Sequence, residues 1–159
     1  MSTTADLFSP LLGERCLTDA DSCARYGADW TRVWAPAPSA VLLPETIDEV
    51  KAIVGLANQN QIALVPSGGR TGLSAAAVAA DGEVVVAFDR MNRILGFSPY
   101  DRAVTVQPGV VTQQLQEFAE QQGLYYPVDF ASAGSSQIGG NISTNAGGIK
   151  VIRYGLTRD

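Results

Sequence analysis

The pattern of apolar and polar positions in the first half of the chain predicts a strand, then a helix, then a second strand. Residues 39–43 (SAVLL) and 62–65 (IALV) are apolar runs of strand length. The segment between them begins with Thr46, and Glu49 follows at the spacing of a capping box, which predicts a helix start. This order predicts a βαβ unit with parallel strands and a right-handed crossover. Five apolar residues of the predicted helix fall on one face: Ile47, Val50, Ile53, Val54 and Ala57.

The second half of the chain continues the mixture of strands and helices. Residues 83–89 contain a β-branched strand, and residues 103–107 form another that ends at Pro108. An amphipathic helix is predicted from about Thr112, with Gly123 as its C-terminal cap and Leu115, Phe118 and Ala119 facing inward. Residues 1–34 are weakly periodic and predict a short helix or two.

Two glycine-rich segments interrupt this pattern, and the first follows the predicted strand 62–65. Residues 66–74 (PSGGRTGLS) lack both the dinucleotide fingerprint G-x-G-x-x-G and the Gly-Lys-Ser/Thr end of a nucleotide-binding P-loop. Glycines allow close backbone approach, so successive amides can point at one anion, and Arg70 adds a positive charge. A plain strand-to-helix turn that needs glycine for its geometry is the alternative interpretation.

The second segment, residues 134–148, contains five of the 16 glycines of the chain. Isoleucines within it indicate anchoring in a core, whereas Asn141, Thr144 and Asn145 offer donors and acceptors to a bound polar group. Glycines would let the main chain pack against a flat ligand. The alternative is a series of tight turns in which Asx side chains bind their own backbone.

The composition of the chain argues against several classes of function. The net charge is −5 and the sequence pI is near 4.6, which argues against a basic nucleic-acid or anionic-membrane surface. Histidine is absent, which removes the commonest general base, zinc ligand and flavin attachment point from these 159 residues. Cys16 and Cys23 alone predict no metal site. The first residues do not resemble a signal peptide and no apolar run could span a bilayer, so we expect a cytoplasmic protein.

Several motifs together resemble a known family of flavoproteins. Residues 66–73, 89–94 (DRMNRI) and 107–110 (QPGV) are similar to the FAD-binding domain of the vanillyl-alcohol oxidase / p-cresol methylhydroxylase superfamily. Residues 126–129 (YPVD), 138–148 (IGGNISTNAGG) and 153–155 (RYG) resemble its branch of D-2-hydroxyglutarate dehydrogenase, D-lactate dehydrogenase and glycolate oxidase subunit. The resemblance runs in order from about residue 38 to residue 159.

The resemblance implies an α+β fold of two subdomains, a PCMH-type FAD-binding domain, with FAD between them. It implies a lead-in at 1–37, an incomplete FAD-binding domain at 38–159 that is truncated at its C-terminus, and an absent substrate (cap) domain. The first glycine-rich segment would hold the FAD pyrophosphate, and its members are Pro66, Ser67, Gly68, Gly69, Arg70, Thr71, Gly72, Leu73 and Ser74. The ribityl, adenosine and isoalloxazine parts would be lined by Pro127, Gly134, Ser135, Gly139, Gly140, Asn141, Thr144, Asn145 and Gly148, and residues 151–155 would continue that wall.

The activity implied by the resemblance is oxidation of a D-2-hydroxy acid, such as D-2-hydroxyglutarate, D-lactate or glycolate, to the 2-oxo acid by hydride transfer to FAD. Relatives with covalent flavin often carry histidine where this chain has Arg70, so non-covalent FAD is expected. No catalytic residue is expected within the chain. Arg70, Asp129 and Tyr154 are the polar residues expected near the flavin, more often in structural pairs than in chemistry.

The implied partners are the hydroxy acid and an electron acceptor, a quinone or an electron-transfer protein. A homo-oligomer stays open, and no nucleic-acid partner is expected. The alternatives are another oxidoreductase on the same scaffold, of the aldonolactone oxidase or enolpyruvyl reductase type, or a non-catalytic nucleotide-binding module.

Overall fold

The computed structural model describes residues 4–159, which fall into two units that meet in sequence at Arg90 and Met91. A sheet and three helices build the first unit. A 3₁₀ turn (Gly13–Arg15) joins its first helix to its first strand, and the two predicted helices near the N-terminus are confirmed. In chain order the elements are α1 (Thr4–Leu12), β1 (Cys16–Leu17), α2 (Ala20–Tyr26), β2 (Ala40–Leu42), α3 (Ile47–Gln59), β3 (Leu64–Ser67) and β4 (Val84–Ala87).

The four strands of this sheet lie in the order β1-β2-β4-β3. β2 and β3 both run parallel to β4, while the two-residue β1 pairs antiparallel with β2. The predicted parallel βαβ arrangement is confirmed, with β4 inserted between its two strands. Every residue of β2 and β4 is buried, as expected for parallel strands covered on both faces.

Strand β3 begins and ends two residues later than its apolar run predicts. It spans Leu64–Ser67 and therefore includes Pro66, which pairs with Val86 of β4. Proline cannot donate to a ladder, but β3 lies at the edge of the sheet and needs hydrogen bonds on one side only. The ladder consequently carries the chain straight into the first glycine-rich segment.

Helix α3 starts at the residue that the sequence predicts. In its capping box, however, the Glu49 carboxylate binds the amide of Glu45 and not that of Thr46. The Thr46 hydroxyl accepts from the Glu49 amide at 3.1 Å. The Glu49 carboxylate accepts from the amide of Glu45 at 2.7 Å, one residue before the cap, and binds the Arg15 guanidinium at 2.6 and 2.7 Å. The hydrogen bond from Arg15, helped by the Glu45 amide, lowers the pKa of Glu49 to about 2.

The buried face of α3 is narrower than its apolar pattern suggests. Ile53 and Ala57 are buried against Phe8 of α1, as predicted. The inward placement of Ile47 and Val54 is wrong, because these side chains are 66% and 43% exposed. Leu56, which lies outside the predicted stripe, packs against the same cluster instead.

The second unit combines a hairpin with three helices. Its core is formed by Val110, Leu115 and Ile138, and Phe118 packs edge-on against Phe97 with ring centroids 5.8 Å apart. The predicted strand and amphipathic helix are confirmed as β6 and α4, and Gly123 takes a left-handed φ of +69° just past the helix end. The elements are β5 (Ile94–Ser98), β6 (Ala103–Val106), α4 (Thr112–Gln121), α5 (Ile138–Thr144) and α6 (Val151–Tyr154). None of the helices within residues 4–159 has the length and apolar character to cross a bilayer.

Candidate functional site

The glycine-rich segment after β3 presents a row of backbone amides that have no partner within residues 4–159. Ser67 is buried, residues 68–71 are half-buried and residues 72–74 are exposed. Among the residues that the structure describes, none accepts a hydrogen bond from an amide of residues 68–74, and the Thr71 and Ser74 hydroxyls are equally free. A Cβ placed on Gly72 would meet nothing within 4 Å. Unpaired amides in succession are the donor set that an anionic group such as a diphosphate accepts.

Arg70 lies in this segment, and its guanidinium folds back onto the protein. It donates to the Gly68 carbonyl at 2.8 Å and to both Asp89 carboxylate oxygens at 3.1 and 3.2 Å. It also stacks over the Tyr26 ring, with its central carbon 4.8 Å from the ring centroid. Its backbone has a left-handed φ of +57°. Arg70 therefore has a structural ion pair with Asp89, the role expected to be the more common one for such a residue.

The last residue of α2 and the loop that follows it support the two ends of the same segment. The hydroxyl of the buried Ser67 donates to the Tyr26 carbonyl at 3.4 Å. At the other end, the buried Asp29 accepts from the Ala75 amide at 3.1 Å, where φ is +60°. Asp29 also accepts from the Thr31 hydroxyl at 2.7 Å, which is the first cause of its lowered pKa. Sequence reasoning missed Asp29, although the pattern Asp-x-Thr typical of an Asx turn marked it.

In the second unit, a buried chain of polar side chains joins the starts of α4 and α5. Asn141 donates to the Thr112 hydroxyl at 2.6 Å, and that hydroxyl lies 2.7 Å from the Ser136 hydroxyl. All three side chains are buried. The amide nitrogen of Asn141, predicted to face a ligand, is thus committed to the interior of this unit.

The glycines of the second segment divide into those that close packing requires and those that have open space. A Cβ on Gly139 would lie 2.7 Å from the Pro108 Cβ, and one on Gly148, where φ is +87°, would lie 2.0 Å from the Asp129 carbonyl oxygen. A Cβ on Gly140 would meet nothing within 4 Å. Packing within the unit alone explains Gly139 and Gly148, but it does not explain Gly140.

The remaining residues of the second predicted set lie on the surface of turns and of α5. Gly134 and Ser135 are exposed in a turn, and Pro127 is half-buried. The Thr144 hydroxyl donates to the Gly140 carbonyl at 2.9 Å. Asn145 ends α5 with a left-handed φ of +52° and accepts from the Arg158 amide at 3.0 Å. The Thr144 contact is local, as in the self-bonded arrangement that the sequence left open, whereas Asn145 binds an amide 13 residues away.

Asp129 belongs to an ion-pair and aromatic cluster that includes Arg153 and Tyr154 from residues 151–155. Lys150 pairs with Asp129 at 2.9 Å and donates to the Tyr125 hydroxyl. The hydrogen bond that Lys150 donates to Tyr125, followed by the one it donates to Asp129, raises the pKa of Lys150. The ring centroids of Tyr154 and Tyr125 lie 5.8 Å apart. The central carbon of the Arg153 guanidinium lies 5.2 Å from the Tyr154 ring centroid. Asp129 and Tyr154 therefore both have structural partners.

One buried polar atom of the second segment has no partner among residues 4–159. It is the side-chain oxygen of Gln137, a residue that is 6% exposed and lies directly before α5. Sequence reasoning missed this residue, because nothing in the sequence distinguishes a buried glutamine from an exposed one.

Comparison with known proteins identifies the family. The FAD binding domain family matches residues 38–159. A D-2-hydroxyglutarate dehydrogenase of Stutzerimonas stutzeri is 71% identical over 91% of this chain, and a D-lactate dehydrogenase of Anaerostipes hadrus is 38% identical over 96% of it. A mitochondrial D-2-hydroxyglutarate dehydrogenase of Danio rerio is 34% identical over 95% of it. The chain spans 31%, 32% and 28% of these three relatives, respectively.

Solved structures show the same fold at low sequence identity. An alkyldihydroxyacetonephosphate synthase matches 93% of the chain with a TM-score of 0.82 and 23% identity, over 29% of its own length. A substrate-bound p-cresol methylhydroxylase matches 89% of the chain with a TM-score of 0.73 and 24% identity, again over 29% of its own length. The α+β fold expected from the resemblance is confirmed, and the chain belongs to the FAD-binding domain family, with the fold found in p-cresol methylhydroxylase.

Proposed function

We propose that this chain is the FAD-binding part of a dehydrogenase that oxidises a D-2-hydroxy acid, such as D-2-hydroxyglutarate, D-lactate or glycolate, to the 2-oxo acid. The observation that carries the proposal is the row of unpaired amides at residues 68–74, in a chain that belongs to a FAD-binding family. The names of the similar dehydrogenases support the substrate class.

The chemistry of the donors and acceptors fits FAD. The diphosphate is anionic, and free amides supply hydrogen bonds without adding positive charge to an acidic chain. Thr71 and Ser74 add free hydroxyl donors. We propose that residues 66–74 hold the diphosphate, with Arg70 shaping the segment through Asp89 and leaving the phosphate contacts to the backbone.

In the second unit, we propose that the surface near Gly140 contacts the rest of the cofactor. Open space around Gly140 is the feature that favours it among the predicted glycines. Gly139 and Gly148 contribute by holding Pro108 and Asp129 in close contact, so their role toward FAD is indirect.

Bound FAD supplies the acceptor for the hydride that leaves the C2 carbon of the hydroxy acid. The proton of the substrate hydroxyl needs a base, and a chain without histidine lacks the side chain that most often serves. We therefore assign this chain to cofactor binding and place the base outside these 159 residues. Arg70 has no nucleophilic nitrogen comparable to histidine, which supports non-covalent FAD.

The electron acceptor, the cellular location and the oligomeric state of the enzyme stay predictions. We propose a quinone or an electron-transfer protein as electron acceptor. The cytoplasmic location predicted from the sequence contrasts with the similar zebrafish dehydrogenase, whose name places it in mitochondria. A homo-oligomer also stays open.

The test uses the protein expressed from the whole reading frame. We expect a yellow protein that releases FAD on acid precipitation and reduces an artificial electron acceptor with D-2-hydroxyglutarate, D-lactate or glycolate. The L-enantiomers of the first two acids are the control and should react far more slowly. A protein that stays colourless after incubation with FAD would refute the proposal.

A further inference from the structure

Both tryptophans of the chain lie exposed in one turn between α2 and β2. Trp30 is 71% exposed and Trp34 is 59% exposed, and Val33 between them is 73% exposed. Tryptophan is a side chain that folded proteins bury to a large extent on average. Two exposed tryptophans in a single turn therefore indicate a contact surface. We call residues 29–34 the tryptophan turn.

Hydrogen bonds within the tryptophan turn hold it in one shape. The buried Asp29 carboxylate accepts from the Thr31 amide at 2.9 Å, the Thr31 hydroxyl at 2.7 Å and the Arg32 amide at 3.3 Å. The Thr31 hydroxyl in turn accepts from the Val33 amide at 3.3 Å. A surface whose backbone is already ordered loses little conformational entropy when a partner binds. The turn is thus built to present its apolar side chains.

The tryptophan turn adjoins the glycine-rich segment 66–74. One Asp29 oxygen holds the turn, and the other accepts from the Ala75 amide at 3.1 Å. Leu73, two residues before Ala75, is 72% exposed and adds a further apolar side chain at this end of the segment. The turn therefore lies beside the segment that we propose to hold the FAD diphosphate.

The size of the apolar surface favours a partner within the same polypeptide. An aromatic side chain buries about 150–250 Å², so the two tryptophans together can bury about 300–500 Å². A stable contact between separate proteins buries about 800 Å² on each partner. A contact between two parts of one polypeptide needs less area, because the covalent connection removes much of the entropy cost of association.

We propose that the tryptophan turn is the docking surface for the substrate-binding part of the same polypeptide, which lies outside these 159 residues. The chain spans 31% of the Stutzerimonas stutzeri dehydrogenase to which it is 71% identical, so in a protein of that length most of the polypeptide is available to cover the turn. This inference rests on the proposed function. Hydride transfer requires the hydroxy acid and the flavin in direct contact, so the part that binds the acid lies against the part that binds FAD.

The first experiment measures how fast hydroxyl radicals oxidise each tryptophan in the protein from the whole reading frame. Peptide mass spectrometry separates Trp30 and Trp34 from other residues, and Tyr100, which is 97% exposed, is the internal control. Rates are compared in the folded protein and in denaturant. We expect unfolding to speed the oxidation of both tryptophans about 10-fold, because a docked side chain is fully desolvated. The Tyr100 rate should hardly change.

The second experiment identifies what covers the turn. The photo-crosslinking variant Trp34→p-benzoylphenylalanine is compared with Tyr100→p-benzoylphenylalanine as the matched exposed control. We expect the first variant to crosslink within one polypeptide, to peptides outside residues 1–159, and the control to give no such product. A crosslinked product of twice the mass would overturn the inference, because a second copy would then cover the turn. Crosslinks confined to residues 1–159, or none, would overturn it as well.

Oxidation of the tryptophans in the folded protein at nearly the rate in denaturant would also overturn the inference. The difference would then be less than about twofold, because rings that are 71% and 59% exposed already meet most of the solvent. That result would leave the proposed function standing, since FAD release and oxidation of the hydroxy acid are measured separately. A protein that binds no FAD would refute the proposed function and, with it, the substrate-binding role of the docked part.

Discussion

Asp89 offers a direct test of what Arg70 does in the glycine-rich segment. If the Arg70 guanidinium touched the cofactor phosphates, removing the Asp89 charge would free a cation and tighten FAD binding. If Arg70 instead shapes the backbone, the same change loosens the segment and weakens binding. The structure favours the second outcome, because Arg70 engages Asp89 through two bonds and also holds the Gly68 carbonyl. We therefore expect Asp89→Asn to bind FAD ~3- to 10-fold more weakly.

The cost to stability follows from the contacts. Asparagine keeps one of the two oxygen acceptors, so one charge-assisted hydrogen bond is lost, a loss of roughly 1.5–3 kcal/mol for such bonds. The Asp89 and Arg70 side chains are 26% and 17% exposed, so solvent screens part of the interaction. After this screening, the expected loss in the free energy of unfolding is about 1–2 kcal/mol. For a chain of this size that corresponds to a fall in Tm of about 2–8 °C.

The assay pairs thermal unfolding with fluorescence titration of FAD. Asp48→Asn is the matched control, since it removes the same charge from an aspartate whose side chain is 90% exposed and pairs with an exposed lysine. The control should leave both Tm and Kd close to wild type. Tighter FAD binding by Asp89→Asn than by Asp48→Asn would refute the positioning role and return Arg70 to the phosphate contacts.

Three further predictions concern two neighbouring glycines and one ion pair. Gly139→Ala should lower the free energy of unfolding by about 1–3 kcal/mol, because its Cβ would lie 2.7 Å from the Pro108 Cβ. Gly140→Ala should raise it by up to about 1 kcal/mol through helix propensity and weaken FAD binding; unchanged affinity would remove Gly140 from the site. The Glu49 pKa is lowered in the folded state, so its stabilisation is full above the unfolded pKa near 4.5 and is lost as pH falls towards about 2. Glu49→Gln should therefore be about 1–2 kcal/mol less stable than wild type at pH 7 and nearly equal to it near pH 2, as denaturant unfolding would show; a difference independent of pH would contradict this.

The strands and helices with regular apolar periods were predictable from the sequence. β6, α3 and α4 follow such patterns, because burial on one face imposes the period on the residues. β2 and β4 are instead short continuous apolar runs, because both faces of these strands are buried. Elements without a period were missed. β5 is mostly exposed or half-buried and is interrupted at Gly96 by a register shift, and α5 begins Ile-Gly-Gly, a composition that local propensity assigns to turns.

The candidate site was predictable as a set of segments and not as a set of contacts. The glycine spacing located residues 66–74, since a strand followed by glycines leaves backbone amides unpaired. The pairing of Arg70 with Asp89 joins residues 19 positions apart through the β3–β4 ladder, and the contact of Asp29 with Ala75 spans 46 positions. Such contacts depend on tertiary packing, which no local pattern in one sequence encodes.

Pro66 has a consequence for how this protein behaves in a crowded solution. The outer side of an edge strand can recruit a strand from another molecule, and that recruitment is a common start of aggregation. Pro66 carries no amide hydrogen, so it interrupts the outer row of β3, and β1 at the opposite edge is only two residues long. Both sheet edges in residues 4–90 are therefore poor templates, and the residue that opens the glycine-rich segment also protects the sheet from intermolecular pairing.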